Sequence, residues 1–211
     1  MPPNPRLAIE RYKTYSSTYD EEQARNPNAA ANRSRVIELL HLRPGDVVLD
    51  VGCGTGLNFP ALEDAVGPSG RIIAVDLSTD MLAKARERVE KAGWQNVTLI
   101  ESAVDEAAIP DGIDAILFCL THDILQAPAA LENVFRHTKP GARVASLGYK
   151  WAPWWTGPWN YIIWNLTRRS VTTRENFSKP WRNLQRYVPG LQVESTFAGA
   201  MYLAWGTAES H

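Results

Sequence analysis

Two cysteines in 211 residues, Cys53 and Cys119, are too few for a disulfide framework and wrongly spaced for a zinc site, so no metal is expected. Both lie in apolar, strand-like runs, which reads as buried thiols in a reducing compartment. Neither sign of charge is in excess: 22 Lys and Arg stand against 23 Asp and Glu, a net charge of −1. A general nucleic-acid binder carries a marked basic excess, so no nucleic-acid partner is expected. No apolar run approaches the ~18–20 residues of a membrane span. The first stretch also lacks the apolar core of a secretory signal. The expected setting is therefore the cytoplasm, with peripheral contact at a membrane surface left open. What is abundant is tryptophan: eight in all, five of them between Trp151 and Trp164.

At this length one domain is expected. A short helix is expected around Ala8–Tyr19 and a second over Asn32–His41. From there strand-like and helix-like segments alternate. Strands are expected at Val47–Val51, Arg71–Asp76, Val97–Glu101, Asp114–Leu120 and Arg143–Leu147. Helices are expected at Leu57–Val66, Thr79–Ala92 and Ala127–His137, with a turn at Lys139-Pro140-Gly141. Near-continuous apolar strands alternating with helices mark a parallel sheet covered on both faces. Leu191–Phe197 and Met201–Gly206, around Ala198-Gly199-Ala200, read as an antiparallel hairpin at the sheet edge. The expected fold is α/β, Rossmann-like and doubly wound: a seven-stranded mixed sheet with an aromatic-rich insertion after the fifth strand. Residues 1–28 would form a lid segment, 40–147 a cofactor-binding core, 148–190 an acceptor-side insertion and 191–206 the terminal hairpin.

The informative stretch is Asp50-Val51-Gly52-Cys53-Gly54-Thr55-Gly56, which leaves a strand and opens a helix. Gly52, Gly54 and Gly56 allow a tight turn and close approach of backbone to a ligand. Asp76, ending the second strand, is placed to accept hydrogen bonds from both hydroxyls of a ribose. A dinucleotide site normally reads G-x-G-x-x-G. Here the spacing is G-x-G-x-G and the loop follows acidic Asp50, which would repel a pyrophosphate but suits a ligand bearing an amino group and a sulfonium.

With these residues the chain resembles the class I S-adenosylmethionine-dependent methyltransferases over roughly Leu40 to Leu147. The ubiquinone/menaquinone-type and bacterial phospholipid N-methyltransferase branches are the nearest in appearance. The resemblance implies S-adenosyl-L-methionine as cofactor and S-adenosyl-L-homocysteine as product. It implies that Gly52, Gly54 and Gly56 line the methionine and ribose portions, with Asp50 and Cys119 in the same lining. Asp76 would hold the ribose, Leu77 and Met81 would pack on the adenine, and Ala103 and Val104 would meet its edge. The family often has an Asp where Ala103 stands, so one polar anchor is missing. Tyr15 and Tyr19 resemble N-terminal tyrosines that lid the site in several small-molecule branches; packing of the first helix is the alternative.

Methyl transfer from a sulfonium needs alignment and desolvation, and a base only where the nucleophile must lose a proton. His122, just after the fourth strand, is the candidate base or acceptor-orienting group, because its ordinary pKa lies near 6.5. A helix-capping His is the competing reading. Tyr149, Trp151, Trp154, Trp155 and Trp159 are expected at the acceptor, a small molecule or lipid. A helix starting near Pro158 would carry apolar residues on one face. From Trp151 to Gly190 there are six basic residues and one acid. Such a segment reads either as the roof of an apolar pocket or as an attachment to anionic lipid. The expected activity is methyl transfer to a small apolar or amphiphilic acceptor, quinone-like or a phospholipid amine. A soluble O- or N-methyltransferase of a secondary metabolite is the alternative within enzymes, and a non-catalytic S-adenosylmethionine-binding regulator the alternative outside them. The oligomeric state is not legible.

Overall fold

The computed structural model describes residues 3–24 and 27–209. Five parallel strands, β1 (Val47–Val51), β2 (Arg71–Asp76), β3 (Val97–Glu101), β4 (Ile113–Cys119) and β5 (Thr138–Tyr149), are extended by a hairpin of β6 (Gln192–Thr196) and β7 (Met201–Thr207), in which β7 runs antiparallel to both β5 and β6. The order across the sheet is β3-β2-β1-β4-β5-β7-β6. The expected seven-stranded mixed sheet and terminal hairpin are both present.

Side-chain alternation along the strands divides the interior in two. Leu49 and Val51 of β1, with Ile116 and Phe118 of β4, face one core. Val48, Ala115 and Leu117 face the other. Helices α2 (Pro27–Glu38), α3 (Phe59–Val66) and α4 (Thr79–Ala92) cover the second face through Val36, Phe59, Leu62 and Leu82. Helix α6 (Pro128–Arg136) and the 3-10 segment Pro180–Arg186 cover the first. Burying both faces is what permits the central strands to be apolar along their whole length.

Several boundaries differ from the sequence expectation. Helix α1 runs from Pro5 to Ala24, longer than Ala8–Tyr19. Helix α2 starts earlier, at Pro27, where a missing N–H costs a helix nothing. A one-turn helix, α5 (His122–Leu125), follows β4 directly and is too short to carry a periodic signal. The Lys139-Pro140-Gly141 turn is a bulge inside β5: the register jumps from Ile113↔Thr138 to Ala115↔Arg143, with Gly141 at φ +78°.

The insertion after β5 builds a small third core from Ala152, Ile163, Phe177 and Ala200. Helix α7 (Trp159–Thr167) lies over it and buries only Ile163 and Thr167. Its entry is held by Asn160, whose Oδ1 accepts from Ala152 N–H at 2.8 Å and whose Nδ2 donates to the Ala152 carbonyl.

Candidate active site

The β1–α3 loop turns through three glycines with positive φ. A Cβ at Gly52 would stand 2.6 Å from Thr121 Cγ2 and 2.9 Å from Ile124 Cδ1, so only glycine lets this loop meet the β4–α5 turn. A Cβ at Gly54 would meet nothing within 4 Å; the backbone there faces an open cavity. Asp76 holds the loop in place: its Oδ2 accepts from Gly54 N–H and its Oδ1 from Ser78 N–H, each at 2.8 Å. Burial raises the Asp76 carboxyl and these amides oppose the rise. Leu77 N–H adds to this set, and the carboxylate keeps acceptor capacity for a hydroxyl. Asp50, fully buried, accepts from Asn58 Nδ2 through both oxygens (3.3 and 3.1 Å). Burial pushes its carboxyl up to about 7, against the pull of Asn58.

The first cavity, of about 180 Å³, is lined by Gly52, Gly54, Asp76, Leu77, Met81, Ala103, Val104, Tyr19 and Cys119, bringing together most of the residues expected at the cofactor. Asp50 and Gly56 support this lining from behind and do not reach it. The Cys119 thiol is pushed up to about 11 by burial, so it stays protonated and packs as an apolar group. The Tyr19 phenol is likewise raised, to about 12, by burial. The Tyr15 side chain lies outside the described residues.

Arg33 and Asp105, charged residues that the sequence did not single out, also line this cavity. Asp105, two positions beyond Ala103, supplies a carboxylate on the stretch where the expected anchor is missing. Arg33, on α2, donates to Gln23 Oε1 at 2.8 Å and lies against the Tyr19 hydroxyl and the Cys119 thiol. Its guanidinium thus offers a positive charge to the cavity among neutral groups. One isolated Arg on an amphipathic helix carries no sequence signal of this.

A second cavity, of about 510 Å³, lies beside the first and is lined in part by Tyr149, Ile162, Leu166, Phe177 and Tyr202. The two share one wall: Tyr12, Tyr19, Leu120, His122, Ser170 and Val171. Leu120 is at φ +62°, a conformation that bulky side chains adopt only when their surroundings impose it. It is fixed by its N–H donating to Leu147 O at 2.8 Å, and it redirects the chain so that Thr121 and His122 stand at the junction. Asp123 then ties this turn to the insertion, accepting from Thr172 N–H (2.8 Å) and Thr172 Oγ1 (2.5 Å).

His122 is buried edge-on against Phe177, ring centroids 4.8 Å apart. Both ring nitrogens are buried against the backbone of Thr173 and Glu175, and burial, opposed by Asp123 and by those backbone groups, lowers its pKa to about 4. The expected value near 6.5 is corrected: the imidazole is neutral throughout the physiological range. It does not cap a helix through its side chain either, since it is itself the first residue of α5.

The tryptophans are placed differently from the roof expected of them. Trp151 packs on Phe177 at 4.8 Å and Trp159 on Phe197 at 5.1 Å, both in the small third core. Trp154 and Trp155 are 86% and 71% exposed and line neither cavity. Gly157, at φ +67°, separates their 3-10 turn from α7, so their spacing and that of the helix follow different faces. The cavity wall is made instead by Tyr161, Ile162 and Leu166, with Arg168 and Arg169.

Residues 48–141 match the methyltransferase domain family. Among curated proteins, the chain is 32% identical over 117 residues to the demethylmenaquinone methyltransferase of Anoxybacillus flavithermus, covering 54% of this chain and 49% of that protein. It is 34% identical over 111 residues to the ubiquinone/menaquinone biosynthesis C-methyltransferase of Vibrio vulnificus, covering 51% and 42%. The matched stretch thus spans half or less of these relatives' length. Among solved structures, an S-adenosylmethionine-dependent methyltransferase from Aquifex aeolicus superposes with a TM-score of 0.65 at 23% identity, over 92% of this chain and 98% of that one.

Proposed function

We propose that this chain, a class I S-adenosylmethionine-dependent methyltransferase by its domain and fold, methylates a small apolar or amphiphilic, quinone-like acceptor held in the second cavity. The observation that carries the reading is the shared wall at Tyr19, Leu120 and His122, which sets two ligands side by side. The relatives' names, of quinone-pathway methyltransferases, favour that acceptor class.

The residues of the first cavity fit S-adenosylmethionine in chemistry. Asp76 would receive a ribose hydroxyl; Leu77, Met81 and Val104 would cover the adenine, with Asp105 near its polar edge. Arg33 would meet the carboxylate of the amino-acid half, and Asp50, behind the loop, would favour its ammonium. When bound, the cofactor supplies an electrophilic methyl group on a positively charged sulfur.

The protein's own part is alignment. An acceptor in the second cavity is confined by Tyr149, Phe177 and Tyr202, which exclude water and fix the angle of approach. At about 510 Å³ that space lies within the range of small-molecule sites. The Tyr19 and Tyr149 hydroxyls, both raised by burial, remain protonated and can donate to an acceptor oxygen. His122 lines both cavities with its ring while both ring nitrogens are buried, so in this arrangement it would shape the acceptor's approach, and taking a proton from an acceptor hydroxyl would require the ring to turn. Ile162→Trp tests the assignment of the second cavity by filling it. The acceptor KM is expected to rise at least about tenfold, a loss of ~1.4 kcal/mol, with S-adenosylhomocysteine affinity unchanged. An unchanged acceptor KM would remove this cavity from the reaction.

A further inference from the structure

Six of the eight large hydrophobic residues exposed among the described residues lie within twelve positions of one another: Trp154, Trp155, Tyr161, Ile162, Trp164 and Leu166. Helix α7, with sequence WNYIIWNLT, is apolar on nearly every side, yet covers only the stripe at Ile163 and Thr167. A helix of that composition is normally enclosed, and soluble monomers seldom expose a contiguous apolar surface of this kind. The small third core already uses Trp151, Trp159 and Ile163, so packing does not account for the rest.

Charge and shape say what would cover it. Residues 150–190 contain seven basic side chains and one acid, Glu175, in a chain whose net charge is −1. Arg174 is turned inward, over the Phe177 ring at 4.7 Å and bonded to Thr167 Oγ1. Arg168 and Arg169 stay at the surface, directly after α7. Arg168 lies over Trp164 at 5.7 Å and Arg169 pairs with Glu22 at 3.4 Å. Tryptophan and tyrosine flanked by arginine is the composition that settles at the headgroup level of a bilayer. Among the described residues, no helix is long and apolar enough to cross one. The same residues, Tyr161, Ile162, Leu166, Arg168 and Arg169, form a wall of the second cavity, so the apolar surface and the acceptor space are continuous.

We propose that the Trp154–Arg169 surface docks on an anionic lipid bilayer and places the second cavity against it, so that an amphiphilic acceptor enters from the membrane. The entry of the acceptor rests on the methyltransferase reading; the docking itself does not.

Flotation of the full chain with phosphatidylcholine vesicles, with and without phosphatidylglycerol, tests this at low and high salt. The wild type is expected to float with the anionic vesicles at low salt and to be partly released by salt. Trp154→Ser/Trp155→Ser, at exposed positions, should lower the partition coefficient at least about tenfold. Arg168→Gln/Arg169→Gln should weaken the anionic preference, each charge near the surface being worth ~1 kcal/mol, roughly fivefold. Circular dichroism melts show that each variant is folded, and calorimetry with S-adenosylhomocysteine reports separately on the cofactor site. No flotation at low salt overturns the proposal, as does a tryptophan variant that floats like the wild type. A solution dimer dissociated by the tryptophan substitutions also overturns it, because a second copy would then be what covers the surface.

Discussion

The Asp20 carboxylate accepts a hydrogen bond from Thr55 Oγ1 at 2.6 Å, joining the first helix to the glycine-rich loop. Its other oxygen pairs with Arg88 of α4 at 2.9 Å, while Arg88 Nε donates to the Thr55 carbonyl. Lys84 adds a bond to the Ser16 carbonyl, and at the far end of α1 Arg11 Nη1 donates to Val171 O. Helix α1 is thus held over the first cavity by polar contacts, which open more readily than a packed apolar face.

Asp20→Ala should therefore loosen the helix without unfolding the domain. The ion pair is about one-third exposed, so solvent screens it and a cost of no more than ~1 kcal/mol is expected. Faster amide exchange confined to residues of α1, with S-adenosylhomocysteine affinity reduced roughly three- to tenfold, is the predicted result. Exchange unchanged in α1 would mean that apolar packing, and not this latch, holds it.

Asp76→Ala should weaken S-adenosylmethionine and S-adenosylhomocysteine together, by ~1.5–3 kcal/mol for each charged hydrogen bond lost. The substitution also frees the Gly54 and Ser78 amides, so a lowered melting temperature is expected as well. Calorimetry at a temperature well below the melt separates the two effects. Affinity for both ligands unchanged from the wild type would take Asp76 out of the site.

Asp50 gives the affinity a pH dependence of known sign. Its carboxyl is raised to about 7 by burial, so below that pH the free protein holds a proton there. A bound ammonium favours the ionised form, so binding releases that proton. S-adenosylhomocysteine affinity should rise between pH 6 and pH 7.5, at most ~tenfold per unit, and level off above. For stability the sign is opposite: a raised carboxyl favours the fold at low pH, and that contribution is lost as pH climbs through about 7. Asp50→Asn should flatten both profiles, read by calorimetry and thermal melts.

His122→Asn should lower kcat while leaving cofactor affinity nearly intact, because the loss belongs to the transition state. With the imidazole pKa near 4, kcat of the wild type should show no limb from this group between pH 6 and 8. A variant that melts earlier but turns over normally would assign His122 to packing against Phe177 alone.

The sheet was legible because five apolar runs alternate with helical periodicity, and Asp76 and the three glycines stand at strand ends where any such fold places them. Much less of the acceptor side was. Helix α5 spans four residues and has no period to read. Trp151, Trp154, Trp155 and Trp159 look alike in sequence, yet two pack inward and two face out, a distinction set by the backbone at Gly157 and the Asn160 bonds. The side chain of Arg33 looks like any solvated charge until Tyr19 and Cys119 are folded against it. His122 seemed a base of ordinary pKa because burial by Phe177, some fifty positions away, leaves no local trace.

The most direct measurement is transfer of labelled methyl from S-adenosylmethionine by the purified chain, scored across hydroquinones, phenols and aminophospholipids. Methyl transfer to a quinone-like acceptor predicts label in an organic-extractable product, strongly reduced by Asp76→Ala at limiting S-adenosylmethionine and by Ile162→Trp at limiting acceptor. Tight S-adenosylmethionine binding with no label in any acceptor would contradict it, leaving a protein that holds the cofactor without using it.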